Sequence, residues 1–501
     1  VGGGAVLLAR LPRRGGAGTA TGMTNAALIL GTQLFDRHPA LDDPDIDELL
    51  VVESAERFAK LPYHQHKIVL LLAGLRRLVA RLEAEGRTVR VVRLDEGLGF
   101  AAGVERLVRE HGIDGLAWMS ATDRGVDDRM RALCERLGLR SKLYRDALFL
   151  TPTELVDEWF AAHPTPVMED FYRWQRQRTG ILMHGRQPAG GQWNYDHDNR
   201  HPLPRGGIEI PALPRPERDA ITEAAIEEVA TRFADHPGEA DGFWLPVTPP
   251  DARAWLRVFV AERLTDFGRY EDAMAAGEPF LFHSVLTPML NIGLVTVDEV
   301  LEAVLAEEGA PLNSVEGFVR QLIGWREYMR GMYRAHPQLE SVNELELERE
   351  LEPWWYDLDG VPDDLPEPVR TVLERVHRHG YAHHIERLMV LGNWFLLNGY
   401  APRSVNDWFL ALFVDAYEWV MVPNVMGMSQ YADGGLVGTK PYVSGGAYLQ
   451  RMGRWWRNAD AAKDSAFTGA YWAFLDRHEE RLAENHRMAR PLAQMRQRRE
   501  A

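Results

Sequence analysis

Ala26-Ala27-Leu28-Ile29-Leu30 runs directly into Gly31-Thr32-Gln33, and this junction decides the class of the first domain. An apolar run with no polar interruption reads as a strand buried on both faces, because a half-exposed strand would alternate. Leu49-Leu50-Val51-Val52 is a second strand, Val89-Arg90-Val91-Val92-Arg93-Leu94 a third and Leu116-Ala117-Trp118-Met119 a fourth. Between them the spacing becomes helical: Lys67 to Leu82 is apolar at 68, 71, 72, 75, 78, 79 and 82. A helix over 101–111 stops at Gly112 and another ends at Leu137-Gly138, glycine being the residue that tolerates a left-handed exit. Strands alternating with helices predict an α/β domain, a parallel sheet with helices on both faces. The turn after the first strand carries neither G-x-G-x-x-G nor G-x-x-x-x-G-K, so no phosphate-cradling nucleotide loop is expected there.

The chain has 501 residues, 46% hydrophobic and 26% charged, which is enough for two domains. A formal charge of −16 argues against nucleic-acid binding by overall charge, while a local basic groove remains compatible with it. The 15 Trp suit either a large aromatic core or a stacking and electron-transfer chain. One cysteine, Cys134, sits in helical spacing with Met130 and Leu133, so a disulfide framework, a zinc site or a Cys-ligated cluster cannot be built. A reducing cytoplasm is the expected compartment. No apolar run reaches transmembrane length.

Residues 1–24 are Gly- and Arg-rich and are set aside as a disordered extension ahead of the α/β domain at 25–150. Proline-punctuated residues 151–215 read as an interdomain linker, and 216–495 as a large all-α domain. Within the linker, Tyr172-Arg173-Trp174-Gln175-Arg176-Gln177-Arg178 interleaves cations with aromatics, as a groove for a nucleic-acid backbone would. A solvated helix face with Trp174 packed inward is the simpler reading. In the helical part, Val315 to Tyr333 is expected to be capped by Asn313 with Glu316 three residues on. Further helices are expected at 367–378, 382–398, 404–420 and 467–488.

Chemistry concentrates between Tyr381 and Tyr448. In Gly380-Tyr381-Ala382-His383-His384-Ile385-Glu386-Arg387, helical spacing puts 383, 384 and 387 on one face. Arg387 and Asp415 both sit among apolar neighbours, and two such costly charges are expected to pair. The pair serves equally as bare structure or as the hydrogen-bonding edge of a flavin site. Adjacent histidines without a third ligand suit proton transfer better than metal binding. No metal site is expected. His283-Ser284-Val285-Leu286-Thr287-Pro288 places hydroxyls at a helix start, a candidate phosphate site.

His283-Ser284-x-Leu286-Thr287-Pro288-x-Leu290-x-x-Gly293 and Trp325-Arg326-Glu327-Tyr328 resemble motifs of the photolyase/cryptochrome superfamily, a likeness that extends over residues 25–490. The chain is most similar to the prokaryotic (6-4) photolyases, the iron–sulfur bacterial cryptochromes and photolyases. Gly190-Gly191-Gln192-Trp193-Asn194-Tyr195-Asp196, Tyr381-Ala382-His383-His384, Asp415-Ala416-Tyr417-Glu418-Trp419 and Gly438-Thr439-Lys440-Pro441-Tyr442 carry that closer likeness. The resemblance implies a helical FAD-binding domain and a DNA photolyase, a lyase that uses blue light to pass an electron from excited reduced flavin to a flipped pyrimidine lesion. It implies His384, with His383, as the proton-transferring pair, and Tyr442 and Tyr448 as walls of the lesion pocket. Trp408 and Trp355 would carry the photoreducing electron. FAD would be held by Tyr270, His283, Ser284, Leu286, Thr287, Gln321, Arg326, Arg387, Asp415 and Met421. Damaged DNA would meet Arg176, Arg178 and Lys440. A monomer, cytoplasmic and nucleoid-associated when bound to UV-damaged DNA, completes the expectation.

Three departures stand out. The name-giving iron–sulfur cluster lacks its cysteines: Arg454-Trp455-Trp456-Arg457-Asn458-Ala459 and Ser465-Ala466-Phe467 occupy that region, so no Fe-S cluster is expected and Trp455 and Trp456 would fill the volume. Phe409 stands next to Trp408 where relatives have tyrosine, so the electron route would run through Trp354 or Trp355. Met421, expected to face flavin N5, offers no hydrogen bond there. Met421 and the acidic balance favour the alternative, a cryptochrome-like photoreceptor without repair, whereas His383, His384 and Tyr442 favour repair. A lumazine-type antenna would fall near Glu53 or Glu56 and Tyr63-His64-Gln65-His66-Lys67.

Overall fold

The computed structural model describes residues 23–500. The expected extension lies outside the described residues apart from Met23 and Thr24, and Thr24 already opens the first strand. The strands are β1 (Thr24–Ile29), β2 (Glu48–Val52), β3 (Val89–Val92), β4 (Ile113–Met119) and β5 (Arg140–Tyr144). They form one sheet in the order β3-β2-β1-β4-β5, every pair parallel.

The two-faced burial anticipated from Ala26–Leu30 is visible residue by residue. Ala26, Leu28, Leu50, Val52, Leu116 and Trp118 pack with Val104 and Leu107 of helix Phe100–His111 and with Met130 and Cys134 of helix Val126–Leu137. Ala27, Ile29, Leu49, Val51, Ala117 and Met119 face helix Gln65–Ala84, on the side continuous with the core of the helical half. Each fully buried Val, Leu or Ile contributes about 1.5–3 kcal/mol, so these interleaved rows fix the register. β5 escapes a sequence reading because Arg140, Ser141, Lys142 and Leu143 are exposed on the sheet edge and show no apolar pattern.

The remainder is helical, including helices Thr153–Ala162 and Met168–Thr179 within the proline-rich segment. Trp159, Phe160 and Phe171 pack there, and the Tyr328 hydroxyl donates to the Pro166 carbonyl at 3.0 Å. Several expected boundaries shift. Leu312 already belongs to a helix begun after Pro311, so Asn313 is not its cap; its amide donates to Asn199 Oδ1 at 2.9 Å instead. Glu316 is buried beneath Tyr172 and accepts from that hydroxyl at 2.8 Å. The helix expected at 404–420 breaks after Leu412: Phe413 is extended (φ −104, ψ 129) and helix resumes at Glu418–Val422. Carbonyls freed by the break are taken up by side chains, Asp415 O by Asn291 Nδ2 and Ala416 O by Lys67 Nζ. The helix expected at 467–488 divides at His478.

Three widened π-helical turns, Arg320–Arg326, Glu386–Gly392 and Pro423–Ser429, interrupt the helices of this half. Such turns collect at functional sites. A Cβ at Gly392 would lie 2.2 Å from Ser429 Oγ, so glycine is what lets two of these turns meet.

The run Tyr63-His64-Gln65-His66-Lys67 joins the two halves. His64 Nδ1 accepts from the His66 amide at 3.0 Å, which puts its proton on Nε2, 2.8 Å from the His377 carbonyl. His66 Nε2 meets the Glu239 carbonyl at 2.9 Å. Lys67 Nζ donates to Leu410 O at 2.8 Å and Ala416 O at 2.6 Å, between the rings of Tyr63 and Tyr417. Burial pulls the Lys67 ammonium down to about 7, against the pull of Asp415 and Asp123. Glu53 is equally committed, gripped by Arg76 at 3.0 and 2.8 Å, Arg93 at 3.1 Å and the Leu94 amide at 3.0 Å.

Burial holds the imidazoles of His38 and His66 down to about 4 and that of His64 well below its usual value. The unfolded chain, near 6.5, takes up these protons first, so the histidines' contribution to stability is complete above about pH 6.5 and is lost as pH falls towards 4. Lys67, charged in the unfolded chain and titrating near 7 in the folded one, adds a decline of its own from pH 8 to 7, and melting temperature is expected to drop further below 6.5. A flat profile down to pH 5 would contradict the neutral interface histidines.

Candidate active site

The centre of the helical half is a fork-to-fork ion pair. Arg387, on a π-helical turn, donates from Nη1 to Asp415 Oδ1 at 2.9 Å and from Nη2 to Oδ2 at 3.0 Å. Its Nε donates to the Ala382 carbonyl at 2.6 Å, and its plane lies 4.4 Å from the Phe413 ring and 4.9 Å from Tyr381. Asp415 sits in the helix break, and its Oδ2 also accepts from Thr287 Oγ1 at 2.5 Å. Asn291 donates to Asp415 O and accepts from Arg326 Nη2 at 3.3 Å. Arg326 also donates to the Leu148 carbonyl at 2.8 Å and lies over Phe149 and Trp419. Its total burial lowers its guanidinium to about 10. Arg326 therefore supports the site through Asn291 rather than opening onto it.

Segment 281–286 passes beside the pair with Leu281 and Val285 at φ 44° and 53°. A β-branched residue with positive φ is strained, and such strain gathers at binding sites. Between them His283 stacks on His383, centroids 4.5 Å apart and planes 10° from parallel. Trp255 pins the Ser284 carbonyl at 2.9 Å. The helix beginning at Thr287 is a single turn, Thr287–Leu290, and the Thr287 hydroxyl donates to Asp415. His283 Nε2 and the Ser284 hydroxyl are the polar groups this segment presents.

His384 has accessible surface, yet desolvation pushes its imidazole down to about 4, with Arg387 and His383 adding to the shift. A ring both accessible and desolvated lines a deep recess. Tyr442 and Tyr448 are half-buried, and burial raises both phenols. Asp272 and Arg200 act on both phenols, and Asp272 also interacts with His383. Asp272, its own carboxyl raised by burial, is thus within electrostatic reach of both tyrosines and of His383. It carries no motif, and sequence reading missed it, as it missed Asn291.

Other expected site residues divide. Met421 is buried on the short helix that follows Asp415, and Leu286 is buried beside Ser284. Tyr270 stacks on Phe282 at 5.6 Å in a satellite core, and Gln321 reaches only its own helix, at Gly317 O. Trp408 is fully buried and donates to the Trp355 carbonyl at 2.9 Å. The Trp408 and Trp355 rings lie 5.9 Å apart, and Trp355 stacks on the partly exposed Trp354 at 4.2 Å. Phe413, 5.8 Å from Trp408, joins this aromatic line to Arg387.

One of the expected nucleic-acid contacts needs correction. Arg176 is completely buried, donating to the carbonyls of Trp193, at 3.0 Å, and Leu182. Arg178, although bonded to Gln175 and Thr151 and lying over Trp174, is exposed, so the interleaved run is a helix that turns Tyr172 and Arg176 in and leaves Arg178 at the surface. Lys440 is exposed, two residues from Tyr442, and Arg487 donates to Thr439 Oγ1 at 2.7 Å beside it. A broad surface cleft of about 880 Å³ between helices Gln65–Ala84 and Ala220–Arg232 contains none of these residues. No helix of the described residues is long and apolar enough to cross a membrane.

This architecture, a parallel α/β domain fused to a helical domain with a recessed ionic centre, has known counterparts. The family of deoxyribodipyrimidine photo-lyase-related proteins matches residues 27–245. A (6-4) photolyase of Agrobacterium fabrum (strain C58 / ATCC 33970) is 37% identical, over 94% of this chain and 95% of that protein. The chain belongs to the photolyase/cryptochrome family. Solved structures share the fold: a bacterial class III photolyase from Agrobacterium tumefaciens at 17% identity has TM-score 0.55, covering 82% of this chain and 80% of that one. A cryptochrome of Synechocystis sp. PCC6803 at 14% identity has TM-score 0.57, covering 87% and 89%.

Removing one partner of a buried ion pair strands the other charge, which costs about 3–5 kcal/mol. Asp415→Asn is expected to lower stability in urea by that amount. Thr287→Val, which keeps the pair and removes one hydrogen bond to it, should cost only about 1–3 kcal/mol. Equal losses would contradict the central place given to the pair.

Proposed function

We propose that this protein is a light-driven, FAD-dependent DNA repair enzyme of the (6-4) photolyase type. The observation that carries the reading is the Arg387–Asp415 fork beside the His383–His384 pair, in a chain 37% identical to a (6-4) photolyase along nearly its whole length. FAD fits the residues present: His283 Nε2 is a buried polar atom without a protein partner, adjacent in the chain to Ser284 and stacked against His383. When bound, FAD supplies the light absorption and the electron. Arg387 and Asp415 would hold its polar ring edge, His283 and Ser284 its phosphate side, with Met421 and Leu286 as apolar wall.

The protein's own share is position and proton. His384, in the recess, would hold the proton that the lesion needs, and Tyr442 and Tyr448 would flank the extruded base, whose unstacking costs a few kcal/mol and less for a damaged site. In the unliganded recess His384 is neutral at pH 7, since burial holds it near 4. Phosphates brought by DNA favour its protonated form, so lesion binding is coupled to proton uptake and tightens as pH falls. Lys440, Arg178 and Arg487 would contact the backbone, and Arg176 would not. Trp354, Trp355 and Trp408 form the inward electron path, bypassing Phe409. With Cys134 as its one thiol, the chain is read as working without an iron–sulfur cluster, as a monomer that associates with the nucleoid through damaged DNA. We assign no antenna to Glu53 or to the 63–67 run.

Photoreceptor function without repair is the second reading, favoured by Met421, which brings no hydrogen bond to the ring it would face. Illumination of the reduced protein with a (6-4)-containing oligonucleotide should restore the pyrimidines; intact flavin photoreduction with no restoration would leave the photoreceptor reading. His384→Ala is expected to keep FAD and lesion binding and to slow repair about 100-fold or more; unchanged repair would remove it from the mechanism. Trp355→Phe should strongly slow photoreduction while leaving repair by chemically reduced protein intact.

A further inference from the structure

Behind the recess lies a buried line of three ionisable side chains, Arg375, Glu386 and His383. Glu386 and His383 are fully buried and Arg375 nearly so. Arg375, on helix Glu367–His379, binds Glu386 Oε1 through Nη1 and gives its other donor, Nη2, to the carbonyls of Ala275 and Ala276, each at 2.5 Å. The ring of Trp455 covers its outer side at 5.8 Å. His383 Nε2 stands 3.4 Å from Glu386 Oε1, and neither ring nitrogen of His383 has a protein hydrogen bond of good geometry. Glu386 Oε2 is likewise without a partner.

A salt bridge kept only for stability would satisfy its carboxylate and would not leave an imidazole poised beside it, because each unsatisfied buried group costs about 1–3 kcal/mol. Leftover valence of this kind marks a group whose partner changes during work. We propose that Glu386 is a positioning residue for the histidine pair: anchored by Arg375, its carboxylate accepts the Nε2 proton of His383 and so fixes the ring and protonation of His383 beside His384.

The groups facing His383 support this direction. His283, from segment 281–286, covers one face of the ring, and burial keeps it neutral, its imidazole held well below the usual value. Asp272, from the turn after helix Leu264–Tyr270, approaches as a carboxyl raised by burial. Glu386, His384 and Arg387 come from its own segment, and Arg375 from the helix before it. Glu386 thus acts through His383, and its role in repair rests on the function proposed above.

The test is Glu386→Gln in the FAD-loaded protein, with two readouts. ¹⁵N chemical shifts of the His383 ring should show Nε2 as the protonated nitrogen in the unaltered protein and a mixed or reversed assignment in the variant. The alkaline midpoint of the repair pH profile should move down by about one pH unit, and Glu386→Asp should recover part of it. Should Glu386→Gln fold poorly because Arg375 is stranded, Arg375→Met with Glu386→Gln removes both charges and gives the same readouts. An unchanged His383 ring spectrum would overturn the proposal whether or not the protein repairs DNA. A changed spectrum with no repair by the unaltered protein would overturn the repair reading and leave the positioning role standing.

Discussion

Everything in the helical half is arranged around the two parallel hydrogen bonds between Arg387 and Asp415. Two charges taken out of water cost several kcal/mol each, and only close geometry with further hydrogen bonds returns that energy. The fold meets both conditions by giving up regular structure around the pair. The helix that would have run through Asp415 is broken there, the turn bearing Arg387 is widened, and Thr287 and Asn291 are spent on the aspartate. Arg326 then secures Asn291, and through Leu148 it reaches the end of the α/β domain. The site is a polar network with nearly every member occupied. Of its unoccupied atoms, on Arg326, His283, His383, Glu386 and Tyr417, those on the two stacked histidines and Glu386 mark where a ligand or a proton would belong.

The division between what the sequence disclosed and what it concealed follows from range. The sheet was legible in Ala26–Leu30, Leu49–Val52 and Leu116–Met119 because a strand buried on both faces writes its environment into consecutive residues. The ion pair was legible too, since Arg387 and Asp415 each stand alone in apolar surroundings. β5 was not, because an exposed edge strand needs no apolar residue. The break after Leu412 was hidden for a different reason: residues 404–420 have good helical spacing, and what ends the helix is Asn291 and Lys67, more than a hundred residues away in sequence. Arg176 misled in the opposite sense. Its composition suits a phosphate, but the carbonyls of Trp193 and Leu182 reach it first. Thr287 likewise looked like a free hydroxyl and is held by Asp415.

The aromatic line from Trp354 through Trp355 and Trp408 to Phe413 shows how packing and chemistry can share atoms. These rings fill the core as any large side chains would, and Trp408 satisfies its indole N–H on the Trp355 carbonyl. Edge-to-face contacts lock the rings in place. Trp455 does something similar: it packs as a core residue while screening Arg375 from solvent.

Lys67 gives the two halves a relation that their separate folds do not suggest. It rises from the α/β half and ends between two carbonyls on either side of Asp415, in the helix break on which the ionic centre depends. The α/β half is therefore not a cassette. A chimera that imported a foreign sheet domain without a lysine at this place would leave the carbonyls of Leu410 and Ala416 bare in the interior, and the strain would fall on the loop that presents Asp415. Inheritance of this architecture is tied at that point: the two halves can diverge in sequence, but they can be exchanged between lineages only together.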